Sequence, residues 1–343
     1  METGRYIEKL NLKQVISLGK NMVKVSVCIP VYGVEKYIEK CARSLFEQTM
    51  TDGIEFIFVN DCTPDKSIEI LEKVLNEYPA RRNQTRIIHH EKNSGPIAAR
   101  NTAIKSAVGN YIICCDADDW VDLNLYKTMY EKAVETGADV VLCPIMEPPN
   151  WKCKRVTVTA PVIADTPAEY VEENVGAHLN HLVTKLYRKE TVSGCWSNLP
   201  GHLRMCEDMF CNLLMLEKCQ KIAFVRDAYY YYRVHPESGS HRLTVKHFED
   251  LKYIAANLKA RSAEKFASII LYLQAIMMLN ALLFLYKLPG MKELFSELWD
   301  QLSLRDKLKI ILFGKYTFRG KCALAAGLIS KQLVFQLMKF VKA

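Results

Sequence analysis

Tyr111-Ile112-Ile113-Cys114-Cys115-Asp116-Ala117-Asp118-Asp119-Trp120 is the stretch on which the reading of this chain turns. A run of apolar, β-prone residues breaks into three carboxylates within four positions. A run without alternation is a strand buried on both faces, as in a parallel sheet. Such sheets take their ligands outside the carboxyl ends of the strands. Carboxylates crowded there repel one another unless a positive charge is shared between them, and a divalent cation meets that need. Asp116 and Asp118 are read in this way. Asp122 is read as the cap of a helix starting at Leu123, and Asp119 as either a cap or a support for its neighbours.

Strand and helix alternate on either side of this stretch. Strands are expected over residues 24–29 (stopped by Pro30), 54–59, 86–89 and 139–143, and helices over 34–48, 67–75, 95–107 and 123–135. That order predicts an α/β fold with right-handed crossovers and a mostly parallel sheet. Residues 147–166 are Pro-rich and polar and predict a loop with short strands; residues 229–233 predict an aromatic strand. From 243 to 341 the pattern is almost wholly helical. The expected organisation is an N-terminal extension (1–22, dispensable if Met22 serves as a start), an α/β domain (23–240, with halves 23–143 and 144–240) and a helical, basic region (241–343).

The net charge of +8 over 343 residues is informative once located. Residues 301–343 hold nine Lys/Arg against Asp306 alone, so residues 1–300 are close to neutral. A basic tail on a neutral body argues against a nucleic-acid-binding protein and for an anionic membrane surface or partner. In the last helix Leu328, Ile329, Leu333, Val334, Leu337, Met338 and Val341 lie beside Lys331, Lys339 and Lys342, a pattern that suits an interfacial helix or one docked on its own domain. The apolar run 266–286 is long enough to cross a bilayer, but Ser268, Gln274 and Asn280 interrupt it; a buried or membrane-adjacent helix is expected. Twelve scattered cysteines without a Cys-x-x-Cys pair, and no signal-peptide pattern, indicate free thiols in the cytoplasm. His178 and His181 are too few for a metal site.

Three strand ends carry polar equipment: Pro30-Val31-Tyr32-Gly33, Asn60-Asp61 and Asp116-Ala117-Asp118. In an open α/β sheet they converge on one crevice. Tyr32 offers a ring to stack a base, and Asp61 an acceptor for a base N–H or a ribose hydroxyl. Asp118 with a divalent ion neutralises a diphosphate; Arg100 adds a cation, and the helix N-terminus at Gly95 points the same way. Taken singly, Tyr32 is equally a core residue and Asp61 a turn residue.

Together these segments resemble family 2 glycosyltransferases of the GT-A fold, which use nucleotide-diphosphate sugars. The resemblance runs from about residue 24 to 235. It is carried by Val25-Ser26-Val27-Cys28-Ile29-Pro30-Val31-Tyr32, Val59-Asn60-Asp61-Cys62-Thr63-Pro64-Asp65, Gly95-Pro96-Ile97-Ala98-Ala99-Arg100-Asn101 and Cys115-Asp116-Ala117-Asp118-Asp119-Trp120. It implies a nucleotide-sugar pocket of Pro30, Val31, Tyr32, Glu35, Asp61, Arg100, Asp116, Ala117 and Asp118, with Asp118 holding Mg2+ or Mn2+. Gly33 stands where Asn is usual, and Cys62-Thr63-Pro64 replaces Gly-Ser-Thr; neither departure removes a ligand carboxylate. On the acceptor side Lys185-Leu186-Tyr187-Arg188 and Cys206-Glu207-Asp208 resemble further family segments. They imply Asp208 as the base of an inverting transfer to a glycan or lipid-linked hydroxyl, with Lys185, Glu207, Arg233 and His235 near the acceptor or the diphosphate. No Trp follows an Arg, as the motif of processive synthases would require, so single transfer is expected. The rival readings are a sugar nucleotidyltransferase, which should carry a Gly-rich basic loop after the first strand, and a non-catalytic nucleotide-sugar-binding protein, which should lack Asp118 or Asp208.

Overall fold

The structure, a computed structural model, describes residues 22–149, 154–175, 177–195, 203–234, 245–262, 264–283, 290–313, 325, 328 and 330. The chain divides into two compact units, one of residues up to 202 with 207–238, the other of 203–206 and 239–343. The expectations for the N-terminal extension, for His235, and for most of the basic tail and its last helix lie outside the described residues.

In the first unit β1 (Val25–Val31) leads to α1 (Ile38–Phe46), β2 (Ile54–Asn60) to α2 (Ser67–Glu77), and β3 (Thr85–His89) to α3 (Pro96–Ser106). Next come β4 (Tyr111–Cys114), β5 (Trp120–Val121), α4 (Leu125–Thr136), β6 (Val140–Leu142), β7 (Ile145–Glu147), β8 (Thr157–Thr159) and α5 (Pro167–Asn174). Two short 3-10 turns, His178–Asn180 and Leu182–Thr184, precede β9 (Lys185–Arg188), α6 (Glu207–Leu216), β10 (Ile222–Phe224) and β11 (Tyr230–Tyr231).

Seven strands form one sheet in the order β10-β6-β9-β4-β1-β2-β3. Every pair is parallel except those of β9, which runs antiparallel to both β4 and β6. The expected mostly parallel α/β architecture is thus present. Its central strands are buried except at Pro30 and Asn60 near their carboxyl ends, as their mostly apolar runs require. A smaller sheet, β5-β11-β7-β8, adjoins the chain just after the carboxylate cluster.

Two local expectations are corrected. The first strand does not stop at Pro30; β1 continues to Val31, with Pro30 opposite Val59. Cys28 O accepts from Cys115 on the β4 side, whereas Val31 O accepts from Asp61 on the β2 side. Alternation therefore turns the nitrogen of Pro30 towards β4, which ends in register with Cys28, so no ladder bond is lost. The second correction concerns Asp122. The helix begins at Leu125 behind Asn124, and the Asp122 carboxylate accepts the Tyr229 N–H at 2.8 Å instead of capping it. The chain before the helix is spent on β5, which pairs with β11.

The second unit holds α7 (Val245–Ser262), α8 (Ala267–Leu283), α9 (Met291–Gln301) and α10 (Leu304–Phe313). Ile269, Leu273, Met277 and Met278 of α8 are buried, and α8 packs on α7, α9 and α10. Among the described residues no helix is long and apolar enough to cross a membrane.

Candidate active site

The loops after β1 and β2 are zipped together at the sheet's carboxyl edge. The backbone N–H groups of Gly33, Val34 and Glu35 donate to Thr63 Oγ1 (2.8 Å), Ser67 Oγ (3.1 Å) and Asp65 Oδ2 (2.9 Å). Glu35 returns a bond, its carboxylate accepting the Lys66 N–H at 3.2 Å. The backbone accounts for one departure from the family pattern and shows the cost of the other. Gly33 has φ +67°, and Asn and Gly are the residues that enter the left-handed region most readily. Cys62 is forced to φ +58° where the family's glycine would be unstrained. Tyr32 is half exposed beside this loop, while Val31 and Ala117 are buried.

Asp61, at the end of β2, is buried and fully engaged. Its Oδ1 accepts from His90 Nδ1 at 2.7 Å and from the Ser94 N–H at 2.9 Å; its Oδ2 accepts the Gly95 N–H at 2.7 Å. Gly95, at φ +90°, is the N-cap of α3, so Asp61 satisfies the orphan donors of that helix start. A carboxylate accepts only, which places a proton on His90 Nδ1; Nε2 lies 2.9 Å from Thr102 Oγ1.

The turn from Asp116 to Asp122 is clamped by the segment around β11. The Asp116 N–H donates to the Tyr230 hydroxyl (3.1 Å), which donates to Asp119 Oδ2 (2.7 Å). The Arg233 N–H donates to Asp119 Oδ1, and its Nε to the Asp118 carbonyl, both at 2.7 Å. The Arg233 guanidinium lies 4.9 Å from the Tyr37 ring and 4.8 Å from the Trp120 ring. Trp120 stacks on Tyr231 at 5.4 Å, and Lys40 Nζ sits 3.2 Å from its centroid. Asp119 caps no helix; it supports its neighbours as the anchor of this clamp. Burial first, then Asp118 and Asp116, raise its pKa well above the usual carboxylate range.

Arg100 of α3 joins the two halves of the site. It is buried; its Nη2 donates to Asp116 Oδ1 at 2.7 Å and its Nη1 to Asp208 Oδ1 at 2.9 Å. Asp208 lies in the first turn of α6 beside Glu207. Burial and Asp116 push the Asp208 pKa up, while Arg100, the Leu182 N–H and Lys185 oppose the rise. Glu207 is pushed up to about 7 by burial and by Asp208. Lys185, expected near the acceptor or the diphosphate, is fully buried and turned inward. Its ammonium donates to the carbonyls of His178 (2.9 Å) and His181 (2.6 Å) and to Thr184 Oγ1 (3.1 Å).

This constellation has relatives. A family model described as Glycosyl transferase family 2 matches residues 26–191. The chain is 34% identical over 227 residues to the uncharacterized glycosyltransferase EpsJ of Bacillus subtilis; the match covers 62% of each chain, less than two-thirds of that relative. Over residues 26–191 the chain carries the pattern of glycosyl transferase family 2. Its fold is that of TarS 1–349 from Staphylococcus aureus in complex with UDP-GlcNAc, with a TM-score of 0.65, 22% identity and coverage of 92% of this chain and 90% of that one. The mannosyltransferase PcManGT of Pyrobaculum calidifontis, in complex with GDP-Man and Mn2+, has a TM-score of 0.53 at 13% identity, covering 93% and 85%.

Within this site, the residues that sequence reasoning missed are those whose partners lie far away. Tyr230, inside an aromatic run, carries a hydroxyl that a buried position obliges to find a partner, the one available signal. His90 and the N–H of Leu182 gave none. The carboxylates do fit a divalent cation. Among the described residues no three His, Cys, Asp or Glu side chains gather to hold a metal. What stands at the turn is hard oxygen: Asp118, half-buried, two positions from Asp116. Mg2+ and Mn2+ suit one or two carboxylates completed by water and substrate phosphate oxygens.

Proposed function

We propose that the protein is an inverting transferase that moves one sugar from a nucleotide-diphosphate donor, a UDP-sugar, to a hydroxyl of a polysaccharide or lipid-linked acceptor. The observation that carries this reading is Arg100, which ties the donor-side Asp116 to the acceptor-side Asp208. The TarS neighbour supports the choice of UDP, since it was captured with UDP-GlcNAc. The catalytic unit would run over 23–240, with its donor half at 23–143 and its acceptor half at 144–240.

Tyr32 stacks the base, and the Asp61 loop with Glu35 holds the nucleoside side of the pocket. Asp118 would hold Mg2+ or Mn2+, which when bound supplies charge to offset that of the diphosphate. Asp208 takes the proton of the acceptor hydroxyl as its oxygen forms a bond to the anomeric carbon. The bond from that carbon to the diphosphate oxygen breaks, and its electron pair leaves with the diphosphate. A base pKa raised towards neutrality suits a hydroxyl whose own pKa is far higher. Arg100 fixes the direction of Asp208, and Arg233, held against Tyr37 and Trp120, stands on the leaving-group side.

Substitution Asp208→Asn is the test. Nucleotide binding in calorimetry should persist while turnover falls by about 10²–10⁴-fold; unchanged turnover would remove Asp208 from the mechanism. The basic residues of 301–343 support a peripheral place on the cytoplasmic membrane face. Truncation after residue 300 should abolish sedimentation with anionic vesicles, and sedimentation that survived would assign the tail to packing.

A further inference from the structure

Lys185 opens β9 and is fully buried, a state lysines reach almost only when their charge is satisfied. Burial lowers its pKa to about 7, and as an ammonium it gives its three protons to the His178 and His181 carbonyls and to Thr184 Oγ1. These acceptors lie on the two 3-10 turns and on His181 between them, so the ammonium gathers the arch 178–184 around one point. The surroundings stiffen it further. The Tyr170 ring lies 5.8 Å from Nζ, and the Tyr170 hydroxyl is 2.8 Å from His178 Nδ1. His178 Nε2 is 2.8 Å from the Cys143 carbonyl, which can only accept, so Nε2 carries the proton. The arch is tied to α6, one turn beyond Asp208, by Asn212, whose Nδ2 donates to the Leu179 carbonyl at 2.7 Å, and its Leu182 N–H helps to lower the Asp208 pKa.

We propose that Lys185 is the positioning residue of the base: by holding the His178 and His181 carbonyls it fixes the arch that Asn212 binds to α6, and so, with Arg100, sets the direction of Asp208 in the first turn of that helix. The inference rests on Asp208 being the base. It explains why a cation is buried here with carbonyl and hydroxyl partners. The ammonium serves a backbone shape, and its field also reaches Asp208, whose other charged neighbours are Arg100, Asp116 and Glu207. Around Lys185 itself the titratable groups are His178, His181, Tyr170, Cys143 and Asp208.

The experiment compares Lys185→Met, Lys185→Arg, Thr184→Val and Asp208→Asn with the wild type, using the sugar nucleotide that the wild type turns over in a screen of UDP- and GDP-sugars. Calorimetry with the matching free nucleotide and Mn2+ reports the folded fraction. For Lys185→Met the expected result is a kcat lower by about 10²-fold, the size of a misplaced group of about 1 Å, with the donor KM nearly unchanged. Its acidic limb of kcat/KM should move to higher pH, because Asp208 loses both a cation and a well-placed donor. Lys185→Arg should return the limb towards the wild type, since it restores the charge. Thr184→Val, which keeps the ammonium and two of its acceptors, should lower kcat by a few-fold and leave the limb in place, and it stands in for Lys185→Met if that variant fails to bind nucleotide. A Lys185→Met enzyme whose activity per folded molecule and acidic limb match the wild type, beside an inactive Asp208→Asn, overturns the inference alone. An active Asp208→Asn overturns the base reading and the inference with it.

Discussion

Asp61 is a buried carboxylate and Asp208 a half-buried one, and they are held by opposite means. Asp61 accepts two backbone N–H groups from the start of α3 and one imidazole proton, all from the loop beside it. Asp208 meets the guanidinium of Arg100, 108 positions away, and its helix is bound through Asn212 to an arch that is itself gathered by Lys185. Backbone donors cannot be removed by a substitution elsewhere, whereas the setting of Asp208 depends on side-chain charges from distant elements. The donor half should therefore absorb single changes that the acceptor half does not.

The largest break expected in this contrast is Arg100→Met. It strips Asp116 and Asp208 of their shared cation at once. Losing one side of a buried ion pair costs about 3–5 kcal/mol, and turnover should fall by about 10³-fold or more, within reach of a lost acid–base group. Urea denaturation and steady-state kinetics read both; an unchanged denaturation midpoint would show that the bridge contributes nothing to folding. Tyr230→Phe comes next. It deprives the Asp116 N–H and the buried Asp119 of one hydroxyl, a loss of about 1–3 kcal/mol. Nucleotide affinity with Mn2+ should weaken about tenfold, equivalent to about 1.4 kcal/mol; wild-type affinity would detach the β11 clamp from donor binding.

A smaller effect concerns pH. Asp208 is raised and its neighbour Glu207 is pushed up to about 7, and Asp208 in its proposed role as base works only when deprotonated. The kcat/KM value should therefore rise with pH through the titration of the pair and be lost as pH falls. Glu207→Gln removes a like charge and should move that limb to lower pH; movement upward would mean that Glu207 donates a bond rather than repels. The smallest effect is Pro30→Ala. Because its nitrogen faces the side where β4 has ended, stability should change by no more than about 0.5 kcal/mol, and a larger gain would indicate a bond that the ring now blocks.

What the chain disclosed in advance follows the same division. Strand ends followed by polar residues are contiguous in sequence, so the parallel sheet and the places of Asp61, Asp116 and Asp118 could be read directly. Local signals also misled where a distant partner intervened. Asp122 looks like a helix cap until β11 claims it, and Pro30 looks like a strand stop until one knows which side its nitrogen faces. Lys185 in a lysine-rich chain looked available to a ligand, and only the arch of 178–184 turns it inward. The first two depend on contacts between residues far apart in sequence, and the third on irregular turns within seven residues of Lys185; no periodicity encodes either.

The antiparallel β9 has a consequence for the order of synthesis. β4, β1, β2 and β3 are complete once the ribosome has passed the first third of the chain, and can pair as they emerge. β6, made soon afterwards, has no seat beside β4 until residues 185–188 arrive to fill the gap between them. Until then β4 presents an open apolar edge, the kind of surface that pairs with other chains or with a chaperone. A nascent chain stalled between β6 and β9 should thus be the most aggregation-prone intermediate of this protein.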